Sequence, residues 1–275
     1  MIYMINKKCD IIIFGGQSNM QGQSESLINN RTVDGCLEYR YITNEYVPLK
    51  DPVGEYIKTD GKKGEPFTGD LILNEDEFII WLNSVALGAS SDGNTTLVPS
   101  FCRSYKEKSG NNVIAVHVAK GATRIDQWLG DSQSYKYLTK KASRAIEGCK
   151  NKGKVYFVWL QGESDALAST SAKVYEERLI ELKNNLKRDL AIDKFAIIRV
   201  GNFANDDRDL EIMKAQEAVC CNDGDFVMLT RITSSLNDKK EFMNPNVKGH
   251  FSAKGLELIG ETAGAALAEV CGIVG

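Results

Sequence analysis

Four short apolar runs, each followed closely by glycine, restrict what this chain can fold into. Asp10 to Phe14 ends at Gly15-Gly16, Val113 to Val118 precedes Gly121, Val155 to Leu160 precedes Gly162, and Phe195 to Val200 precedes Gly201. Continuous runs of five or six residues rich in β-branched and aromatic side chains read as strands covered on both faces, the pattern of a parallel sheet. Parallel neighbours need crossover connections, and helical spacing supplies two: Tyr175, Leu179, Leu182 and Leu186, then Leu256, Ile259, Ala263, Ala266 and Val270. The expected architecture is a doubly wound α/β fold, in which ligands sit beyond the carboxyl ends of the strands. The glycine turns mark those ends.

The 275 residues can form one large α/β domain or two small ones. No internal repeat and no Ser/Gly-rich linker divides them, so one domain over 1–275 is expected, with a long irregular excursion from about Arg31 to Asp76, where Gly, Pro, Asp and Lys scatter without periodicity. With 34 basic against 37 acidic side chains and no basic block, nucleic acid is excluded as a partner. No apolar run approaches the roughly 20 residues needed to span a bilayer, so no membrane association is expected. The first ten residues lack the apolar core of a secretory signal, and a cytoplasmic location is the expectation. Seven cysteines form no C-x-x-C pair and read as reduced, core-packing residues. With only two histidines, far apart, and no clustered cysteines, neither a metal nor another cofactor is expected.

The first glycine turn, Gly15-Gly16-Gln17-Ser18-Asn19-Met20, puts a serine at a strand-to-helix junction. Backbone N–H groups there can hold the oxyanion formed when a serine attacks an ester carbonyl, although a helix N-cap accounts for the same serine. A serine esterase needs one histidine as base. His117 lies inside an apolar strand and reads as structural, whereas His250 lies in the loop Lys248-Gly249-His250-Phe251-Ser252 before the last amphipathic helix, where an imidazole can reach the sheet edge. Two other strand ends carry polar residues. Gly121, in Lys120-Gly121-Ala122-Thr123-Arg124, is either an oxyanion donor or a turn glycine; Glu163 and Asp165, in Gln161-Gly162-Glu163-Ser164-Asp165, are either working carboxylates or first-turn helix acids. No G-x-S-x-G elbow, P-loop or G-x-G-x-x-G fingerprint is present.

Taken together, Gly16-Gln17-Ser18-Asn19-Met20, Lys120-Gly121-Ala122-Thr123 with Trp128, Trp159-Leu160-Gln161-Gly162-Glu163-Ser164-Asp165 and His250-Phe251-Ser252-Ala253-Lys254-Gly255 resemble the four blocks of the SGNH (GDSL-like) hydrolases. The likeness is to the sialate O-acetylesterase and carbohydrate esterase family 6 branch. It implies a flavodoxin-like three-layer α/β/α sandwich with a mostly parallel central sheet and no metal. It implies a serine carbohydrate O-acetylesterase, in which Ser18 attacks an acetyl group on a sugar (a xylan fragment or a sialic acid) and His250 takes its proton, through an acetyl-serine intermediate. The oxyanion hole would use the N–H groups of Ser18 and Gly121 and a side-chain amide. Many relatives take that amide from an asparagine of G-x-N-D; Ser164 stands there in this chain, and Gln161 is the nearest substitute. Many relatives also place an acid three residues before the histidine, where this chain has Val247. Glu163 is therefore the first candidate to orient His250, Asp165 the second, and a Ser-His dyad held by a backbone carbonyl the remaining arrangement.

Gln17 and Asn19, which flank the serine, and Arg124 are candidate substrate contacts, as is Arg103, since a guanidinium pairs well with a sialic acid carboxylate. Trp128 either stacks on a sugar or packs in the core. The missing acid before His250 keeps open an alternative, a non-catalytic carbohydrate-binding protein on the same scaffold. A Rossmann-like nucleotide module explains the first glycine turn but leaves the segment Gln161 to Asp165 without a role.

Overall fold

A computed structural model describes residues 8–41, 43–54, 94–270 and 272. In chain order the strands are β1 (Cys9–Gly16), β2 (Cys36–Arg40), β3 (Glu45–Pro48), β4 (Asn112–His117), β5 (Lys152–Leu160), β6 (Lys194–Ile198) and β7 (Phe226–Thr230). They form one sheet in the order β3-β2-β4-β1-β5-β6-β7, parallel throughout except for the antiparallel edge pair β2/β3. The helices are α1 (Ser18–Gln21), α2 (Val98–Ser109), α3 (Gln133–Gly148), α4 (Glu163–Leu167), α5 (Ala172–Leu190), α6 (Asp207–Asn222), α7 (Ile232–Asn237) and α8 (Ala253–Val270).

The sheet is apolar on both faces because its strands alternate between two cores. Ile11 and Ile13 of β1 join Leu138 and Ala142 of α3, Leu179 and Leu182 of α5, and Ile212 and Val219 of α6. Ile12 and Phe14 face the other way, onto Phe101 and Tyr105 of α2 and Leu256, Ile259 and Ala263 of α8. Burying each such side chain contributes about 2 kcal/mol, which is why strands lacking a polar face are tolerated only between two helical layers. The result is the flavodoxin-like three-layer sandwich.

Omitting the edge pair, the order β4-β1-β5-β6-β7 is the doubly wound 2-1-3-4-5, and its direction reverses between β1 and β5. Gly16 pairs with Leu160 at that crevice, and a side chain on Gly16 (φ 145°) would strike the Leu160 carbonyl. The two strands therefore end together, and their following loops share one rim.

The excursion expected from Arg31 to Asp76 is not irregular over its described part, since β2 and β3 lie within it. β3 is the edge strand, while β2 pairs on both sides, with β3 and β4; charges within Cys-Leu-Glu-Tyr-Arg and Glu-Tyr-Val-Pro mask the periodicity of both. The Tyr39–Tyr46 cross-strand ring pair at 5.1 Å supplies their packing. Residues 55–76 of that excursion lie outside the described residues. Among the described residues no helix is long and apolar enough to cross a membrane.

Candidate active site

Ser18 opens α1 directly after the β1 turn and is 4% exposed. His250 stands three residues after the turn Asn244–Val247, which is tied by Asn244 Oδ1 accepting the N–H groups of Asn246 and Val247, while Asn244 Nδ2 donates to the Gln23 carbonyl behind α1. Asn-Pro-Asn is a turn-forming sequence, and here it carries the histidine across to the serine. The two side chains, 232 residues apart, meet with His250 Nε2 at 2.8 Å from Ser18 Oγ.

The proton arrangement follows from the other ring nitrogen. His250 Nδ1 lies 3.0 Å from the Lys248 carbonyl oxygen, which can only accept. Nδ1 therefore carries the hydrogen, and Nε2 presents its lone pair to the serine hydroxyl. Burial lowers the imidazole pKa below 6.5, although the backbone contacts of Lys248 and Val247 pull the other way.

Neither acid expected at His250 is there. Glu163, 2% exposed, accepts from Asn19 Nδ2 at 2.8 Å, and Asn19 Oδ1 accepts the N–H of Phe251 at 3.2 Å. Glu163 thus braces the histidine loop through Asn19 without touching the imidazole. This engages both ends of the Asn19 amide and makes Asn19 part of the frame of the site. Burial raises the pKa of Glu163, opposed by the Asn19 hydrogen bond. Asp165 is fully buried and accepts from Ile125 N, Gln161 Nε2 and Thr170 Oγ1 at 2.8, 2.7 and 3.0 Å, tying the glycine-block loop to the β5 end. Both acids lie in the first turn of α4.

Gln161 is likewise not an oxyanion donor. Its side chain enters the α5 side of the sheet, where Nε2 donates to the Thr123 carbonyl, Asp165 Oδ2 and Gln17 Oε1 and Oε1 accepts from Tyr175 Oη. An amide with two hydrogens and three acceptors has none left for substrate. Gln17 is placed differently. Its Oε1 is held by Ser164 N at 3.1 Å and Gln161 Nε2 at 3.2 Å, and its Nε2 has no hydrogen-bond partner among the described residues.

Gly121 does stand beside the serine, since a Cβ built on it would lie 3.6 Å from Ser18 Cβ. Its N–H donates to Gln21 Oε1 at 2.7 Å. Sequence reasoning passed over Gln21, because nothing in Met20-Gln21-Gly22 signals that this amide folds back over the loop after β4. His117 is fully buried in β4, and its Nε2 lies 3.1 Å from the Met20 carbonyl, holding α1 in place.

Arg124 is exposed at the rim and paired with Asp126 through Nε and Nη2 at 3.3 and 3.2 Å. Arg103 lies elsewhere: it bridges α2 to Glu257 and Glu261 of α8, and its guanidinium serves that helix interface. Trp128 is fully buried, donates to Thr123 Oγ1 and packs edge-to-face on Trp159 at 5.6 Å, so it serves the core. Among the described residues no group of three or more His, Cys, Asp or Glu is arranged to hold a metal ion.

Residues 8–269 match the family model described as carbohydrate esterase, sialic acid-specific acetylesterase. A probable carbohydrate esterase of Arabidopsis thaliana is 32% identical over 112 residues, which is 38% of this chain and 42% of that relative's length. The solved structure of the Arabidopsis protein of that locus superposes with a TM-score of 0.64 at 18% identity, covering 95% of this chain and 99% of that one. NanS superposes at 0.65 with 13% identity over 97% and 98% of the two chains. A carbohydrate acetylesterase from Xanthomonas citri gives 0.56 at 15% identity, over 95% of this chain and 56% of that one. These superpositions establish a shared fold.

Proposed function

Because the chain belongs to the carbohydrate esterase, sialic acid-specific acetylesterase family, we propose that it removes O-acetyl groups from a sugar with Ser18 as nucleophile and His250 as base. One observation carries this reading: the 2.8 Å contact between His250 Nε2 and Ser18 Oγ, with the lone pair of Nε2 aimed at the hydroxyl. Nε2 takes the hydroxyl proton as Oγ bonds to the acetyl carbon. The imidazolium then gives that proton to the sugar oxygen as the C–O bond breaks, leaving acetyl-serine. Water, deprotonated by the same nitrogen, attacks the acetyl-serine and releases acetate, restoring the hydroxyl.

The Lys248 carbonyl does the orienting that a triad carboxylate does elsewhere: it fixes the tautomer and accepts the Nδ1–H of the imidazolium. The Ser18 and Gly121 N–H groups are the oxyanion donors, Gly121 after the substrate carbonyl displaces Gln21 Oε1. Gln17 Nε2 supplies the side-chain amide that many SGNH hydrolases draw from an asparagine. Arg124, which can exchange Asp126 for a substrate carboxylate, favours an acidic sugar such as a sialic acid.

The test is acetate release from O-acetylated sialic acids and O-acetylated xylo-oligosaccharides, together with labelling by a fluorophosphonate. Ser18→Ala should abolish both turnover and labelling while leaving the melting temperature within about 2 °C. Labelling that survives the substitution points to another nucleophile and overturns the reading. A wild-type chain that binds these sugars without releasing acetate would instead be a carbohydrate-binding protein.

A further inference from the structure

We propose that Phe203 is the aromatic platform against which the sugar ring of the substrate lies, and that Asp209 holds it there. The proposal rests on the esterase reading for the direction from which the sugar arrives. Among the described residues every phenylalanine, tyrosine and tryptophan is buried except Phe203 and Phe242. Phe242 has the ammonium groups of Lys254 and Lys239 over its ring at 5.0 and 5.9 Å. Phe203 packs edge-to-face on His250, with ring centroids 5.8 Å apart and planes at 86°. The imidazole must hand its proton to the departing sugar oxygen, so that oxygen has to sit within hydrogen-bond reach of Nε2. The ring bearing the oxygen then falls beside the one partly exposed aromatic side chain that touches the base.

The platform is built and not incidental. Phe203 lies in the loop after β6, and the carboxylate of Asp209, itself 1% exposed, accepts three successive backbone N–H groups: Phe203 at 3.0 Å, Ala204 at 3.1 Å and Asn205 at 2.7 Å. Asn237 Oδ1 accepts the N–H of Asn202 just before them at 2.7 Å. On the other side the histidine loop closes on the ring at Gly249 (φ 79°), where an added Cβ would come within 2.4 Å of the Phe203 ring carbons. A ring locked between two loops offers apolar surface at little entropic cost on binding. A pyranose presents a face of C–H groups that matches such a surface, whereas the acetyl group, at the serine, needs no aromatic of this size.

The experiment compares two esters with the same acyl group: an O-acetylated sialic acid and ethyl acetate, which has no ring to stack. Phe203→Ala should raise KM for the acetylated sugar about tenfold and leave kcat/KM for ethyl acetate within about threefold. Phe203→Trp should restore the sugar KM. Equal losses on both esters would show that Phe203 only supports His250, and an unchanged sugar KM would remove it from the site; either result overturns the proposal. Binding is measured separately by calorimetry on Ser18→Ala with the acetylated sugar, where adding Phe203→Ala should weaken Kd by a similar factor. This readout does not need turnover, so failure of the esterase reading and failure of the platform are told apart.

Discussion

At the scale of single residues, the distance between a carboxylate and an imidazole decides what Glu163 can do. Neutralising a triad acid that touches the histidine costs on the order of 10⁴-fold in kcat. Among the described residues the side chain that Glu163 reaches is Asn19 and not His250, and glutamine preserves an oxygen for that amide, so Glu163→Gln should lower kcat less than about tenfold. A loss near 10⁴-fold in steady-state kinetics would mean that the carboxylate contacts His250 during turnover. The same residues set the pH profile. The base acts when neutral, and burial lowers its pKa, so the acidic limb of kcat/KM should fall below pH 6.5 and activity should be lost as pH drops through it. Arg124→Ala, at the exposed rim, should raise KM for an acetylated sialic acid several-fold and leave an uncharged acetylated xyloside unchanged.

Elements hold these residues by close approach. Helix α8, which begins three residues after His250, packs on α2 through glycines: a Cβ on Gly260 would lie 2.1 Å from Ser100 Oγ, and one on Gly264 2.1 Å from the Phe101 carbonyl oxygen. The helices touch backbone to backbone, and Arg103 adds its pairs to Glu257 and Glu261 at the same interface. Gly264→Val must push them apart, costing about 1–3 kcal/mol in chemical denaturation. Activity should fall with it, since His250 rides at the end of α8. The helical repeat of α8 was legible in Leu256, Ile259 and Ala263, whereas its glycine seam was not, because a glycine in a helix pattern looks the same whether or not a partner lies against it.

At the scale of the whole molecule, a buried acid helps tie the segment after β3 to the residues that lead into α2. Asp51 is 3% exposed and accepts both the N–H and the hydroxyl of Thr96, at 3.0 and 2.8 Å. Burial raises its pKa from 3.8 to about 7, against the pull of those hydrogen bonds. The folded state therefore keeps a proton that the unfolded chain has released, and this contribution is present below about pH 4 and lost as pH rises to 7. His117 runs the other way. Its pKa falls from 6.5 to about 4 on burial, so its contribution is lost as pH falls from 6.5 towards 4. Asp51→Asn should flatten the Asp51 part: the melting temperature of the variant relative to the native chain should rise between pH 5 and pH 8, by the equivalent of a few kcal/mol.

The linear order of residues determined the strand ends, because apolar runs closed by glycine have one economical solution in a parallel sheet, and with it which segments can supply a site. It also singled out Ser18 and His250, since a serine at the first turn and a loop histidine are scarce enough to be counted. What packs behind that histidine was decided only in three dimensions. Glu163, Gln161 and Gln21 are polar groups at the same rim, and a side chain's direction depends on the pitch of the helix or strand carrying it and on the atoms it meets. The Lys248 carbonyl leaves no mark in a sequence at all, for every residue has one, and the loop's path alone brings this one to Nδ1.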